Sequence, residues 1–387
     1  MLGKSLKILA HSIPLVALSI LGCSAGIAEN GAGQPAAAEN VVRYAGMCDA
    51  SAAVALDDET FIVADDEKNT LLIYRAGLSG TPLQAIPWAR RLGIAAGDEH
   101  PEADIEAATV LDGRIYWITS HGRNKDGKWR PNRHRFFAMT VEWTGDGYVA
   151  RPFGKSRGDL VRQLVRHEPI RRLALAEAYA AGAKKVERLA PKREGLNIEG
   201  LCATADGKSL LIGLRNPMPS GRALLVPLEN PAAVVAEGAA PRFGEPVLLK
   251  MVSDPRGKSL DLSFRGIEYS PHQAAYLIAA GTADARDAAA IYRWSGDRSD
   301  APVFMPRATA AVRAPQRFRP EALIVYPNNS AVDVLSDDGS LRVKVASPAQ
   351  CAPGEFLDGQ CQQKHLNDDR QKAFRAVRIG AKPAGRG

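Results

Sequence analysis

The chain has little that would mark a familiar enzyme. Neither a His-Glu-x-x-His metal pair nor a Gly-x-x-x-x-Gly-Lys-Ser/Thr loop occurs in its 387 residues, which excludes a zincin and a nucleotide-binding P-loop. It has only five cysteines and seven histidines. The one early apolar stretch, Ile13 to Leu21, is too short for a comfortable membrane span. Turn chemistry is plentiful instead. There are 35 Gly and 25 Pro beside 45% hydrophobic residues, enough for a core and suited to many short strands.

A short phrase recurs. Asp104-Ile105-Glu106-Ala107 returns as Asn197-Ile198-Glu199-Gly200, Gly266-Ile267-Glu268-Tyr269 and Arg319-Pro320-Glu321-Ala322, and in degenerate form around Ser51. Each copy opens an apolar run, a turn and a second apolar run. One supersecondary unit repeated roughly every 50 residues predicts an all-β chain folded as a β-propeller. The repeats divide into five four-stranded blades, with six as the alternative because the interval from Glu199 to Glu268 leaves room for extra strands around residues 259–264. The last repeat, read as 322–326, 331–335 and 341–345, lacks an outer strand, and Val41-Val42-Arg43-Tyr44 is predicted to close the ring there. The long interval between Glu106 and Glu199 holds leucines and valines at helical spacing, so a helical insertion is expected over about 155–194.

In a propeller the starts of the inner strands and the loops after the second strands share one face. Glu106, Glu199, Glu268 and Glu321 are therefore expected to meet near the axis, joined by loops carrying Asp65, His121, Arg123, Arg215, Asn216 and Asp337. Like charges so placed need compensation. Three devices are open: a Ca²⁺ ion on oxygen ligands, ion pairs from Arg123 and Arg215, or shared protons. His121 is the candidate general base, and Arg123, Arg215, Asn216, Asp65 and Asp337 are candidate substrate-binding residues. The basic insertion is expected over or beside the mouth.

The ends carry their own expectations. Residues 1–28 read as an export signal with two cleavage readings: a lipobox ending at Cys23, which would be lipidated, or ordinary cleavage after Ala28. Residues 29–40 suit a flexible tether, 41–346 the propeller, and 347–387 a basic tail with a Cys351–Cys361 disulfide. The chain is then periplasmic and anchored to the outer membrane by lipid, or soluble in the periplasm or secreted. Despite a net charge of +7, nucleic acid is a poor partner for an exported protein. An anionic small molecule or envelope component suits it better, with the protein a monomer.

Taken jointly, Cys48-Asp49-Ala50-Ser51, Ala64-Asp65-Asp66-Glu67, Asp104-Ile105-Glu106, Ser120-His121-Gly122-Arg123-Asn124-Lys125, Asn197-Ile198-Glu199-Gly200-Leu201, Gly213-Leu214-Arg215-Asn216-Pro217 and Leu335-Ser336-Asp337-Asp338-Gly339 resemble the bacterial "domain of unknown function 3616" family over about residues 44–345. The resemblance brings no activity with it. The fourth repeat departs from the family's wording, with Gly266-Ile267-Glu268 where Gly-Ile-Arg is expected. More loosely, the openings are similar to esterase-like phytase propellers, and the calcium idea to gluconolactonase-type lactonases. Two functions follow as expectations: a metal-dependent hydrolase of an anionic phosphoester or lactone at the channel mouth, or a non-catalytic envelope scaffold using the same face.

Overall fold

A computed structural model describes residues 41–65, 67–95, 97–191, 194–251, 261–282 and 288–380. The export signal, the tether and Cys23 lie outside the described residues. The runs of Val, Ile, Leu and aromatics form five four-stranded antiparallel sheets. Blade 1 is Ala50–Ala55, Thr60–Asp65, Thr70–Arg75 and Gln84–Pro87; blade 2 is Ile105–Leu111, Arg114–Thr119, Phe136–Trp143 and Tyr148–Arg157. Blade 3 is Asn197–Ala203, Leu210–Asn216, Ala223–Leu228 and Val247–Leu249; blade 4 is Leu262–Ser270, Ala275–Thr282, Ala290–Trp294 and Val303–Phe304. Each first strand touches the first strands of both neighbouring blades, and that of blade 5 touches that of blade 1. The ring therefore closes as a five-bladed propeller. Leu262–Phe264, which left room for a sixth blade, belongs to the inner strand of blade 4.

Blade 5 corrects the expected boundary. Its strands are Pro320–Val325, Val332–Ser336, Ala373–Ile379 and, outermost, Val41–Ala45. The N-terminal strand closes the ring as expected, but the third strand comes from the C-terminal segment, so the propeller extends well past residue 346. Arg342–Lys344 instead pairs with Gln360–Gln362 in a separate two-stranded ribbon. The reason lies in burial. Ala373, Phe374, Ala376, Val377 and Ile379 are buried, whereas the 342–344 run exposes both its charged residues. Within the ribbon region Cys351 and Cys361 are free thiols, buried together with Leu366.

The insertion forms three short helices, Leu160–Leu164, Glu168–Arg171 and Leu175–Tyr179. Leu160, Val161, Leu164, Ile170 and Leu175 join the apolar layer between blades 2 and 3. Among the described residues its basic side chains do not line the mouth. Arg157 pairs with Asp159, Arg171 with Glu168, Lys185 with Glu187 and Arg188 with Glu194. Among the described residues no helix is long and apolar enough to cross a membrane.

Candidate functional site

Each inner strand carries a β-bulge near its start, and the bulged residues fall at Ser51, Glu106, Glu199, Arg265 and within Glu321–Ala322. A bulge adds one unpaired residue and re-aims its side chain. The position after it is small in every blade: Ala52, Ala107, Gly200, Gly266 and Ala322. At Gly266 the reason is direct, because a Cβ there would sit 2.2 Å from the Glu321 carbonyl oxygen on the next inner strand. Structural equivalence therefore runs through Phe264-Arg265-Gly266, three residues earlier than the Gly-Ile-Glu string suggests. Glu268 is not a ring member. It lies further down the strand, where Thr109 donates to it at 3.3 Å and the Cys202 thiol sits 3.8 Å away.

The ring thus holds three glutamates, one arginine and one serine, and all five side chains line a cavity of about 790 Å³ at the mouth. Arg265 spans the ring, its Nη1 lying 2.9 Å from Glu321 and 3.2 Å from Glu199. Arg215, from the second strand of blade 3, pairs with Glu199 from the other side, and the Asn197 amide donates to Glu199 at 2.9 Å. These are buried pairs: the side chains of Arg215 and Glu199 are 5% and 4% exposed. Glu106 has no hydrogen bond or ion pair with any described residue. Three carboxyl groups face two guanidinium groups, and the odd one out is Glu106.

Protonation follows that arithmetic. Burial, with Asp104, Glu199 and Glu321 nearby, pushes the Glu106 carboxyl well above its usual range against the pull of Arg215. Burial also pushes Glu321 up to about 8, with Arg265 opposing and Glu199 adding to the rise. A carboxyl whose folded pKa exceeds its unfolded value stabilises the fold fully below the unfolded pKa and loses that contribution as pH rises through the folded one. Melting temperature is therefore expected to fall between pH 6 and pH 9, and Glu106→Gln to flatten the fall. Calorimetry across that range checks this, and a wild-type curve that rises with pH would contradict it.

The other sequence-predicted residues divide. Asp337 lines the cavity. Its carboxylate accepts from the Asp49 carboxyl group. Burial and the nearby Asp337 hold Asp49 well above its usual range. Gly339 is required by this pair, since a Cβ there would overlap the Asp49 carboxylate. Asp65 is buried below the surface, accepts from the Glu67 amide at 2.8 Å, and is pushed up to about 7 by burial. Asn216 is buried, does not line the cavity, and donates to the carbonyl of Pro191, which does.

Two of the candidate residues, His121 and Arg123, do not line the cavity. His121 is 2% exposed, its Nδ1 lies 2.9 Å from the Thr119 carbonyl, and burial lowers it to about 4. It packs edge-on against His134 beneath the insertion and does not line the mouth. Arg123, expected to hold an anionic group, donates to the carbonyls of Gly127, Ala180 and Ala183 and so fastens the insertion to blade 2. Among the described residues no group of three or more His, Cys, Asp or Glu side chains is arranged to hold a metal ion. The Arg265 guanidinium bridges Glu199 and Glu321, the place a cation would take. The string Gly154-Lys155-Ser156-Arg157-Gly158 spells a nucleophile elbow, but Ser156 lies within the outer strand of blade 2 and its buried hydroxyl has no hydrogen-bond partner.

Sequence reasoning missed several cavity residues. Arg133, held by Asp104 at 3.0 Å and by Glu102, lies in the stretch before the third strand of blade 2. Arg313, Arg317 and Arg319 come from the segment leading into blade 5, and Lys364 and His365 from the ribbon region. Only Arg265 left a readable signal, the bulky-charged-small pattern Phe264-Arg265-Gly266-Ile267 beside Ile198-Glu199-Gly200-Leu201.

No curated protein matches the chain. Similar solved structures include glutaminyl cyclase of Myxococcus xanthus, at 12% identity and TM-score 0.39 over 76% of this chain and 88% of that one. A putative oxidoreductase (glucose dehydrogenase) of Thermus thermophilus is 11% identical, with TM-score 0.37 over 88% and 99%. The β-propeller domain of Cps50 (Swd1) from Myceliophthora thermophila is 9% identical, with TM-score 0.30 over 74% and 80%. Residues 170–319, which carry blades 3 and 4 with Glu199, Arg215 and Arg265, match the family described as "Protein of unknown function (DUF3616)".

Proposed function

We propose that the mouth of this propeller is a binding site for a small anionic molecule. The observation that carries the reading is charge placement. Lys125, Arg130 and Arg317 line the cavity without a carboxylate partner among the described residues, while Glu199, Glu321 and Asp104 deeper in are matched by Arg215, Arg265 and Arg133. A volume of about 790 Å³ lies within the roughly 300–1,000 Å³ of small-molecule sites. The binding or scaffold reading is thereby preferred to the metal-dependent hydrolase, since the ion pairs leave calcium no evident ligand set. Turnover of a bound phosphoester or lactone is the second reading, favoured by Glu106, an unpaired carboxyl in the cavity that can move a proton. Export, a Cys23 lipid anchor, a monomeric state and oxidation of the neighbouring Cys351 and Cys361 thiols to a disulfide belong to the same proposal.

The test is isothermal titration of the full chain with inorganic phosphate, citrate, glucose 6-phosphate and glucuronate, with and without a chelator. At least one probe should bind, more weakly at high salt. Arg130→Glu with Arg317→Glu should weaken that binding at least tenfold, and the chelator should change neither affinity nor melting temperature. Failure of all four probes, or binding that depends on added calcium, would sink the reading.

A further inference from the structure

Resting on that reading, we infer that the ligand is a polyhydroxylated molecule with one acidic group, of the class of sugar monophosphates and hexuronates. The cavity is divided by chemistry. Toward the axis it presents, in ring order, the Ser51 hydroxyl, the unpaired Glu106 carboxyl, Glu199, Arg265 and Glu321, of which Ser51, Glu199 and Glu321 are buried and Glu106 and Arg265 half-buried. Toward solvent it presents Lys125, Arg313 and Arg317, all exposed.

A bare oxyanion only accepts hydrogen bonds. On the floor it would meet three carboxyl groups, and the guanidinium groups there already serve Glu199 and Glu321. It therefore has a place at the rim but none at the floor. A hydroxyl both donates and accepts. A set of neighbouring hydroxyls can donate to Glu106, Glu199 and Glu321 and accept from Ser51, so it satisfies Glu106, which would otherwise be desolvated without a partner, and adds to the bonds Glu199 and Glu321 already make. An apolar ligand fails there for the same reason. The blade 4–5 side adds Ala280, Ala289, Pro315 and Pro320, a surface suited to the carbon-bound face of a sugar ring. With hydroxyls on the floor, a single acidic group on the same molecule reaches the cationic rim. A neutral sugar leaves that rim unused, and a polyanion would bring charge against the ring carboxylates.

The test compares glucose 6-phosphate and glucuronate with inorganic phosphate and with glucose by isothermal titration of the full chain. At least one acidic sugar should bind ten times tighter than both fragments. Which of the two does so tells phosphate from carboxylate. Glu106→Ala should remove most of that preference, and Glu106→Gln, which keeps hydrogen-bonding capacity, should retain part of it. Inorganic phosphate binding as tightly as either sugar acid would overturn this inference and leave anion binding standing. Glucose binding as tightly would overturn the requirement for the acidic group. No binding by any probe would overturn both.

Discussion

Arg265→Met is expected to destabilise the propeller by about 3–5 kcal/mol, the cost of removing one partner from a buried ion pair. Its side chain is 11% exposed, and among the described residues it alone pairs with both Glu199 and Glu321. Without it Glu321 loses its only ion pair among the described residues, and Glu199 keeps Arg215. The guanidinium also donates to the Thr282 carbonyl at 3.2 Å, a hydrogen bond that the variant loses as well. Adding Glu321→Gln to the variant should restore part of the loss, because an amide carries no charge at any pH and leaves no ionisable group buried without Arg265. Glu268→Gln is the contrasting variant. Burial pushes Glu268 up to about 8, so at neutral pH an uncharged amide replaces a largely uncharged acid and the cost should stay near 1 kcal/mol or below. Urea unfolding of the four proteins gives the comparison. An Arg265→Met variant as stable as wild type would end the ion-pair account of the ring, and with it the reason for setting calcium aside.

The contrast between Arg265 and Glu268 shows what the sequence made readable. Blade number, most strand positions and the convergence of Glu106, Glu199 and Glu321 follow from repetition and from period-two burial, both local properties. The place of the fourth ring residue does not. Matching the letters Gly-Ile-Glu ignores the bulge, and a bulge is set by pairing with the neighbouring strand. Small residues after each bulge were the better guide, since they report how closely inner strands approach. Side-chain reach was equally hidden. Arg123 and His121 lie in the loops that converge on the mouth, yet the docked insertion claims the first and burial beside His134 the second. Arg133, Arg313 and Lys364 arrive from connections whose paths only the folded chain defines.

Ring closure is the other place where local signals misled, and it supports the second large effect. Leu341–Val345 and Ala373–Ile379 are both β-prone, but only the second pairs on two sides, with Val332–Ser336 and with Val41–Ala45. Ending the chain after Lys372 would leave both partners as open edges and strip the cover from a core that includes Tyr44, Tyr74, Ile324 and Leu335. It would also remove Arg378, which grips the buried Asp333 at 2.7 Å, and Arg375, which holds Asp338 at 2.7 Å. Such a chain should fail to accumulate as folded protein. Phe374→Ala gives the graded version: its ring is fully buried, stacked on Tyr44 at 5.1 Å and edge-on to Tyr74 at 5.4 Å, and its loss should cost about 3–5 kcal/mol. Val343→Ala, in the half-buried ribbon, should cost about 1 kcal/mol. If Val343 proved the costlier of the two, the closing strand would have to be reassigned. Lys364 and His365 reach the cavity from the segment just before the closing strand, so a destabilised closure should also weaken any ligand at the mouth. Measuring glucose 6-phosphate affinity on Phe374→Ala at a temperature where it remains folded tests that coupling.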